Sequence, residues 1–279
     1  MIDFSGRTAV VSGAGAGIGR AIAEAYARLG AEVTGIEIDA ARAAATGEAM
    51  QAAGLPVRMV VGDVRDAGSV AEVFTGVAER HGSLDILVNN VGDFLGVMNG
   101  FEEGTEAEWD ALYAVNLRHV FLATRAALPL LRMGRPGGSI INVSTIEAFR
   151  GIPMCPVYSA FKAGVTGFTK SLAVQLAPEG IRVNAIAPET TETEQVKPAS
   201  YIRPEHQAHT PRWIPLGRFG TPEDMAGCAV FLASELSAWV TGTTIHADGG
   251  ALAAGGFYRT PSGRWTNVPV VTGDGFGFG

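Results

Sequence analysis

The segment Arg7-Thr8-Ala9-Val10-Val11-Ser12-Gly13-Ala14-Gly15-Ala16-Gly17-Ile18-Gly19 decides the fold. Its first six residues read as a short β-branched strand running directly into a glycine turn, and a helical pattern follows over 20–29. Strand, glycine turn and helix in that order open an α/β unit. The glycines permit a tight turn and close approach of a pyrophosphate to the helix N-terminus, where free N–H groups and the helix dipole favour anions. The spacing is G-x-x-x-G-x-G, through Gly13, Gly17 and Gly19, and not the commoner G-x-G-x-x-G. The turn alone therefore does not separate an anion cradle from a plain strand-to-helix connection.

Outward from this turn the pattern alternates. A strand over 32–36 ends at Glu37, eighteen residues past Gly19, the distance at which an acid binds the two hydroxyls of an adenosine ribose. A 2′-phosphate would face that carboxylate, and neither Ala14 nor Ile38 supplies a neighbouring cation, so NAD is expected over NADP. A helix over 40–53, a strand over 57–61 ending at Asp63-Val64, a helix over 67–81 and a strand over 84–88 ending at Asn89-Asn90-Val91-Gly92 follow. Alternation of this kind predicts a Rossmann fold: one doubly wound parallel sheet of about seven strands with helices on both faces. Asp63 is placed to accept a hydrogen bond from an adenine amino group, and the Asn89 turn to line the cofactor. Thr105 and Glu108 form a capping box for a long helix carrying Trp109, Leu112, Tyr113, Asn116 and Phe121. Asn116 is out of character there, neither helix-favouring nor apolar, which points to a buried polar role.

The chemistry concentrates on Tyr158-Ser159-Ala160-Phe161-Lys162. A tyrosine and a lysine four apart share a helical face and reach one reacting atom. Thirteen residues upstream, Ser144 and Thr145 end the apolar run over 140–143, which reads as a parallel strand. Ligands of doubly wound folds sit at the carboxyl ends of strands, so a strand-end hydroxyl and the Tyr/Lys face should meet over one pocket. A phenol titrates near 10 and needs its anion stabilised to act as a base at neutral pH. An ammonium about 4–5 Å away contributes on the order of 3–4 kcal/mol, or two to three pKa units, which predicts that Lys162 lowers the Tyr158 pKa into working range.

Bulk properties narrow the class. The 279 residues are 47% hydrophobic and 18% charged, which suits one large α/β domain over 1–250. The net charge of -7 argues against nucleic acid or anionic membrane as the main partner. No secretory pattern or membrane-length apolar run is present, so a soluble, cytoplasmic protein is expected. Cys155 and Cys228 are isolated and fit no zinc spacing, and His206 and His209 with Glu192 and Glu194 read as solvated side chains, so no metal is expected. The proline-rich, polar stretch over about 189–220 is long enough to be a lid.

With these residues in place the sequence resembles the short-chain dehydrogenase/reductase family over residues 5–250. Ser12-Gly13-x-x-x-Gly17-x-Gly19, Asp63-Val64, Asn89-Asn90-Val91-Gly92, Asn116, the strand-end hydroxyls, Tyr158-x-x-x-Lys162 and Arg182-Val183-Asn184 stand in the family's order and spacing. The resemblance implies hydride transfer between a nicotinamide and a carbinol or carbonyl. It implies that Tyr158 is the acid/base, that Lys162 also holds the nicotinamide ribose, that Asn116 fixes a water in a proton relay, and that the chain forms a homotetramer. Cofactor contacts are expected from Gly13, Gly15, Gly17, Ile18, Gly19, Glu37, Ile38, Asp63, Val64, Asn90, Val91, Gly92, Tyr158, Lys162, Pro188, Glu189, Thr191 and Thr193.

Departures from the family pattern bear on the substrate. The serine expected thirteen residues before the tyrosine is Thr145, with Ser144 beside it; Thr145 is favoured as the group on the substrate oxygen. The usual Pro-Gly after the sixth strand is Pro188-Glu189. Asp93, Glu147 and Glu189 are expected at the pocket mouth, where like charge would repel an anionic substrate. Phe94, Phe149, Met154 and Trp213 are expected as apolar walls, so the predicted substrate is a neutral secondary alcohol or ketone: alicyclic, dihydrodiol or terpenoid/steroid-like. Two alternatives are an NADPH-dependent 3-oxoacyl thioester reductase, which requires basic residues at the rim, and a non-enzymatic nucleotide-sensing regulator. The Gly- and aromatic-rich extension over 251–279, with Phe257, Tyr258, Trp265, Phe276 and Phe278, is expected to pack over an active site.

Overall fold

A computed structural model describes residues 2–198, 210–256 and 258–266. The glycine turn joins β1 (Thr8–Ser12) to α1 (Gly17–Arg28), and β2 (Glu32–Glu37), α2 (Ala40–Ala52), β3 (Val57–Val61), α3 (Ala67–His81) and β4 (Ile86–Asn89) follow. Asp39 and Asp66 cap α2 and α3 by accepting from Arg42 N and Ser69 N at 2.8 and 2.7 Å. The chain continues through α4 (Glu106–Tyr113), a π-helical turn over Ala114–Arg118, α5 (His119–Met133), β5 (Ser139–Val143), α6 (Pro156–Leu176) and β6 (Arg182–Pro188). A short α7 (Thr210–Trp213) precedes α8 (Pro222–Ala233), β7 (Thr244–Ala247), α9 (Ala251–Ala254) and a hairpin of β8 (Tyr258–Arg259) and β9 (Trp265–Thr266).

The seven strands form one parallel sheet in the order β3-β2-β1-β4-β5-β6-β7. The winding reverses between β1 and β4, which opens a crevice at their carboxyl ends. Side chains alternate across the sheet: Ala9 and Val11 pack with Ile22, Tyr26 and Ala229 on one face, and Val10 packs with Phe74, Leu131 and Leu176 on the other. Near-continuous burial along β4, β5 and β6 fits strands covered on both faces.

The long helix expected after Thr105 is present over 106–133 and carries a π-turn, inside which Asn116 sits. The capping box is as expected, with Thr105 Oγ1 accepting from Glu108 N and Glu108 Oε2 accepting from Thr105 N. In the stretch read as a lid, Thr191 bridges Gly220, and Gly220 N donates to Thr190 O at 3.0 Å, so its two ends are tied together. His206, His209, Phe257, Phe276 and Phe278 lie outside the described residues. Among the described residues no helix is long and apolar enough to cross a membrane, and no cluster of metal-ligating side chains is found.

Candidate active site

A cavity of about 1020 Å³ runs along the carboxyl ends of β1, β2, β4, β5 and β6, at the upper end of ligand-pocket sizes, about 300–1,000 Å³. At one end stands Glu37, 6% exposed, whose carboxylate accepts from Gly15 N at 3.2 Å and Asp39 N at 3.0 Å. A Cβ at Gly15 would meet that carboxylate, so a side chain there would force Glu37 to shift. The expectation that no cation accompanies Glu37 is corrected by Arg42, whose Nη2 lies 3.1 Å from Glu37 Oε1. Folding of α2 back toward β2 makes this pair. Asp63 is likewise no free acceptor. Arg65 donates to it from Nε and Nη2 at 2.9–3.1 Å and holds its carboxyl below the usual range.

At the other end β5 and α6 bring Thr145, Tyr158 and Lys162 together. Ser144 Oγ donates to Lys162 O at 3.0 Å and is buried against α6. Thr145 is extended, with its hydroxyl facing the Tyr158 hydroxyl and pulling the phenol pKa downward. The two candidate hydroxyls differ in their partners: Ser144 Oγ is committed to α6, whereas Thr145 Oγ1 accepts from Glu147 N at 3.3 Å and donates to Pro188 O at 3.4 Å, and both residues line the cavity. Lys162, 2% exposed, donates from Nζ to Val143 O at 3.2 Å and lies 5.9 Å from the Tyr158 ring centroid. Burial pushes its pKa down to about 8.

The expected lowering of Tyr158 by Lys162 does not hold. Burial is the main influence, and the net shift is upward, with Cys155, Glu147 and Asp93 also raising the phenol against the opposing pull of Thr145. Phe94 covers the phenol at a centroid distance of 4.1 Å, while the lysine ammonium turns to the β5 carbonyl. Asn116 is fully buried and lies behind the cavity. Its Nδ2 donates to Asp93 O and Leu112 O at 2.8 and 3.0 Å, and its Oδ1 accepts from Asp93 N at 3.1 Å. Those bonds hold the strand-end turn against Lys162 at Gly92, where any Cβ would strike the ammonium.

The rim corrects two further expectations. Arg150 bridges Glu147 and Glu189 at 2.7 and 2.9 Å, so the acids at the mouth are not unopposed. Phe149 packs edge-on against His246 and is no part of the wall, which is formed by Phe94, Met154, Trp213 and Phe219. Gly15, Gly19 and Asn116 excepted, every residue expected at the catalytic centre or on the cofactor lines this one cavity.

The chain matches the family model described as enoyl-(acyl carrier protein) reductase over residues 13–251. It is 39% identical to a 3-oxoacyl-(acyl-carrier-protein) reductase of Thermotoga maritima, covering 88% of this chain and 98% of that one. A 3β-hydroxysteroid dehydrogenase 1 of Eggerthella lenta is 38% identical, with 91% and 97% covered. A solved dehydrogenase/reductase from Sinorhizobium meliloti 1021 superposes with a TM-score of 0.81 at 37% identity, covering 89% and 96%. The chain belongs to the short-chain dehydrogenase/reductase family.

Short-chain dehydrogenases are oxidoreductases that bind a nicotinamide cofactor, and this chain is an enzyme of that kind, acting on alcohols or ketones. Its residues fit such a dinucleotide: the cavity joins Glu37 to Tyr158 without interruption, and Gly15 and Gly92 are kept free of side chains at the two ends. Sequence reasoning missed Arg42, Arg65, Arg150 and Glu194. Arg150 was detectable, three residues after Glu147. The Glu194 contact, from its Oε2 to Gly17 N across 177 residues of chain, left no local signal. His119, fully buried, was also missed; burial first, then the Lys162 charge, pushes it down to about 3, so it is neutral near pH 7.

Proposed function

We propose that the chain is an NAD(H)-dependent dehydrogenase of neutral secondary alcohols with an alicyclic, dihydrodiol or terpenoid/steroid-like body. The convergence of Thr145, Tyr158 and Lys162 at one end of the cavity carries the reading. A bound nicotinamide would supply hydride transfer to or from the carbinol carbon. Thr145 Oγ1 hydrogen-bonds the substrate oxygen, and Tyr158 supplies the proton in reduction; in oxidation it removes the hydroxyl proton as the phenolate, the form that the Lys162 charge favours and burial opposes. Lys162 offsets the negative charge that develops on the phenol oxygen. Asn116 acts through position, holding Asp93 and Gly92 so that the ammonium keeps its place.

Preference for NAD is supported by Glu37, whose fixed carboxylate faces the place of a 2′-phosphate. Preference for a neutral substrate is supported by two rim carboxylates, Glu147 and Glu189, held on Arg150, with Asp93 beside them, and by the walls of Phe94, Met154 and Trp213. Arg42 and Arg150 favour one second reading, an NADPH-dependent 3-oxoacyl thioester reductase, because each is a cation near a position where that substrate pair carries phosphate. Titration with NADH and NADPH by fluorescence quenching, followed by turnover on cyclic alcohols, dihydrodiols and 3-oxoacyl thioesters, separates the two. NADH preference of about tenfold or more with alcohol oxidation is expected; NADPH preference with thioester reduction overturns the reading.

A further inference from the structure

Glu194 and Gly17 are far apart in sequence, yet Glu194 Oε2 accepts a hydrogen bond from Gly17 N at 3.0 Å. Gly17 is the first residue of α1, so its N–H is one of the donors that the helix itself leaves unpaired. The helix supplies no substitute: its N-cap, Ala16, makes no side-chain hydrogen bond, and its first turn holds no acidic residue. A carboxylate brought from the segment after β6 fills that role.

That position is also the one a dinucleotide's pyrophosphate takes in this fold, so carboxylate and pyrophosphate need the same donors. Two anions on one helix end repel, and both cannot hold Gly17 N. The surroundings give Glu194 somewhere to go. A second cavity of about 610 Å³ lies on the far side of the 193–196 segment, and Gly17, Thr193, Glu194 and Val196 line both cavities. Arg20, one helical turn on from Gly17, lines the second cavity and has no ion pair among the described residues.

We propose that Glu194 is an affinity-setting residue for the cofactor: its carboxylate occupies the pyrophosphate position in the free enzyme and moves toward Arg20 when the dinucleotide binds. The inference rests on the dinucleotide reading but on neither the choice of nucleotide nor the substrate. Its return to Gly17 N would favour release of product nucleotide, at the cost of weaker binding.

The test uses the full chain with Glu194→Ala and Glu194→Gln, and ADP-ribose and adenosine as probes in calorimetry. ADP-ribose carries the pyrophosphate without the nicotinamide; adenosine carries neither. Glu194→Ala should tighten ADP-ribose about tenfold, equal to about 1.4 kcal/mol, and leave adenosine unchanged. Glu194→Gln, which keeps an acceptor but removes the charge, should fall between. Hydrogen exchange at the Gly17 amide of the ligand-free protein should quicken in the alanine variant. Unchanged or weaker ADP-ribose binding in that variant, beside a wild type that binds it, overturns the proposal, as does unaltered Gly17 exchange. Failure of the wild type itself to bind ADP-ribose would instead overturn the dinucleotide reading.

Discussion

Tyr158 is buried at 7% exposure, beside carboxylates that oppose its ionisation, and its neighbour Lys162 is the group held near its own titration point. In ketone reduction Tyr158 must carry its proton, and a pKa raised above 10 keeps it protonated across the working range. Lys162, pushed down to about 8, is charged below that pH and neutral above it. The reductive kcat/KM should therefore stay flat between about pH 6 and about pH 7.5 and fall about tenfold per pH unit above about 8. A profile flat to about pH 10 counts against a charged Lys162 in the rate-determining step. The hydroxyl pair gives a second prediction. Thr145→Val should lower kcat/KM by about a hundredfold or more, as expected of a lost donor at the reacting oxygen, with a stability loss of about 1 kcal/mol from its bonds to Glu147 N and Pro188 O. Ser144→Ala should cost about as much in a denaturant melt through its lost bond to Lys162 O, and affect turnover less. The Tyr/Lys pair was legible because a spacing of four fixes a shared helical face. Thr145 over Ser144 was favoured from family spacing; the sequence does not show that Ser144 Oγ is tied to the α6 backbone while Thr145 Oγ1 meets Glu147 N and Pro188 O, because both sets of bonds are made by later elements.

The π-turn in the helix between Glu106 and Met133 shows what local pattern conveys and what it omits. Its start was legible in Thr105 and Glu108, since a capping box is complete within four residues. The π-turn was not, because one inserted residue barely disturbs apolar periodicity, and the Asp93 backbone that Asn116 bonds from within the turn lies far off in sequence. The oddity of a buried asparagine was the visible trace of that distant contact. The same limit explains Arg42 and Arg65. Glu37 and Asp63 were found at strand ends, but the turns that bring each arginine onto its acid are set by the return of the following helix or loop. Asn116→Ala removes three buried hydrogen bonds and leaves the Asp93 N–H and C=O without their partner. It should destabilise the protein by about 1–3 kcal/mol in urea with an unchanged m-value. It should also lower kcat more than it weakens nucleotide binding, because Gly92 and the Lys162 ammonium lose their fixed separation. Equal losses in both constants would point to general unfolding and not to positioning.

For the whole molecule, the sheet was readable from the alternation of elements, because parallel strands joined by helices leave few arrangements. The C-terminal extension was readable only as aromatic and therefore packed, since no repeating pattern says against what. The described part places β8 against α7, the short helix that ends at Trp213. Trp213 in turn lines the cavity and meets Phe219 edge-on at 5.9 Å. Leu216 N donates to Gly249 O at 3.1 Å, so the end of the 189–220 stretch is tied to the start of the extension as well. The hairpin thus braces the substrate wall from outside. Deleting residues 256–279 should raise the KM for a cyclic alcohol by about three- to tenfold while NADH affinity stays within about twofold, because only the braced wall loses support. Sedimentation of the same variant reads whether the extension also serves the homotetramer that the family resemblance implies. Unchanged KM and unchanged oligomer size together would remove the extension from the site, and Trp213 would then keep its place through the Phe219 contact and the Thr191–Gly220 tie without help from the hairpin.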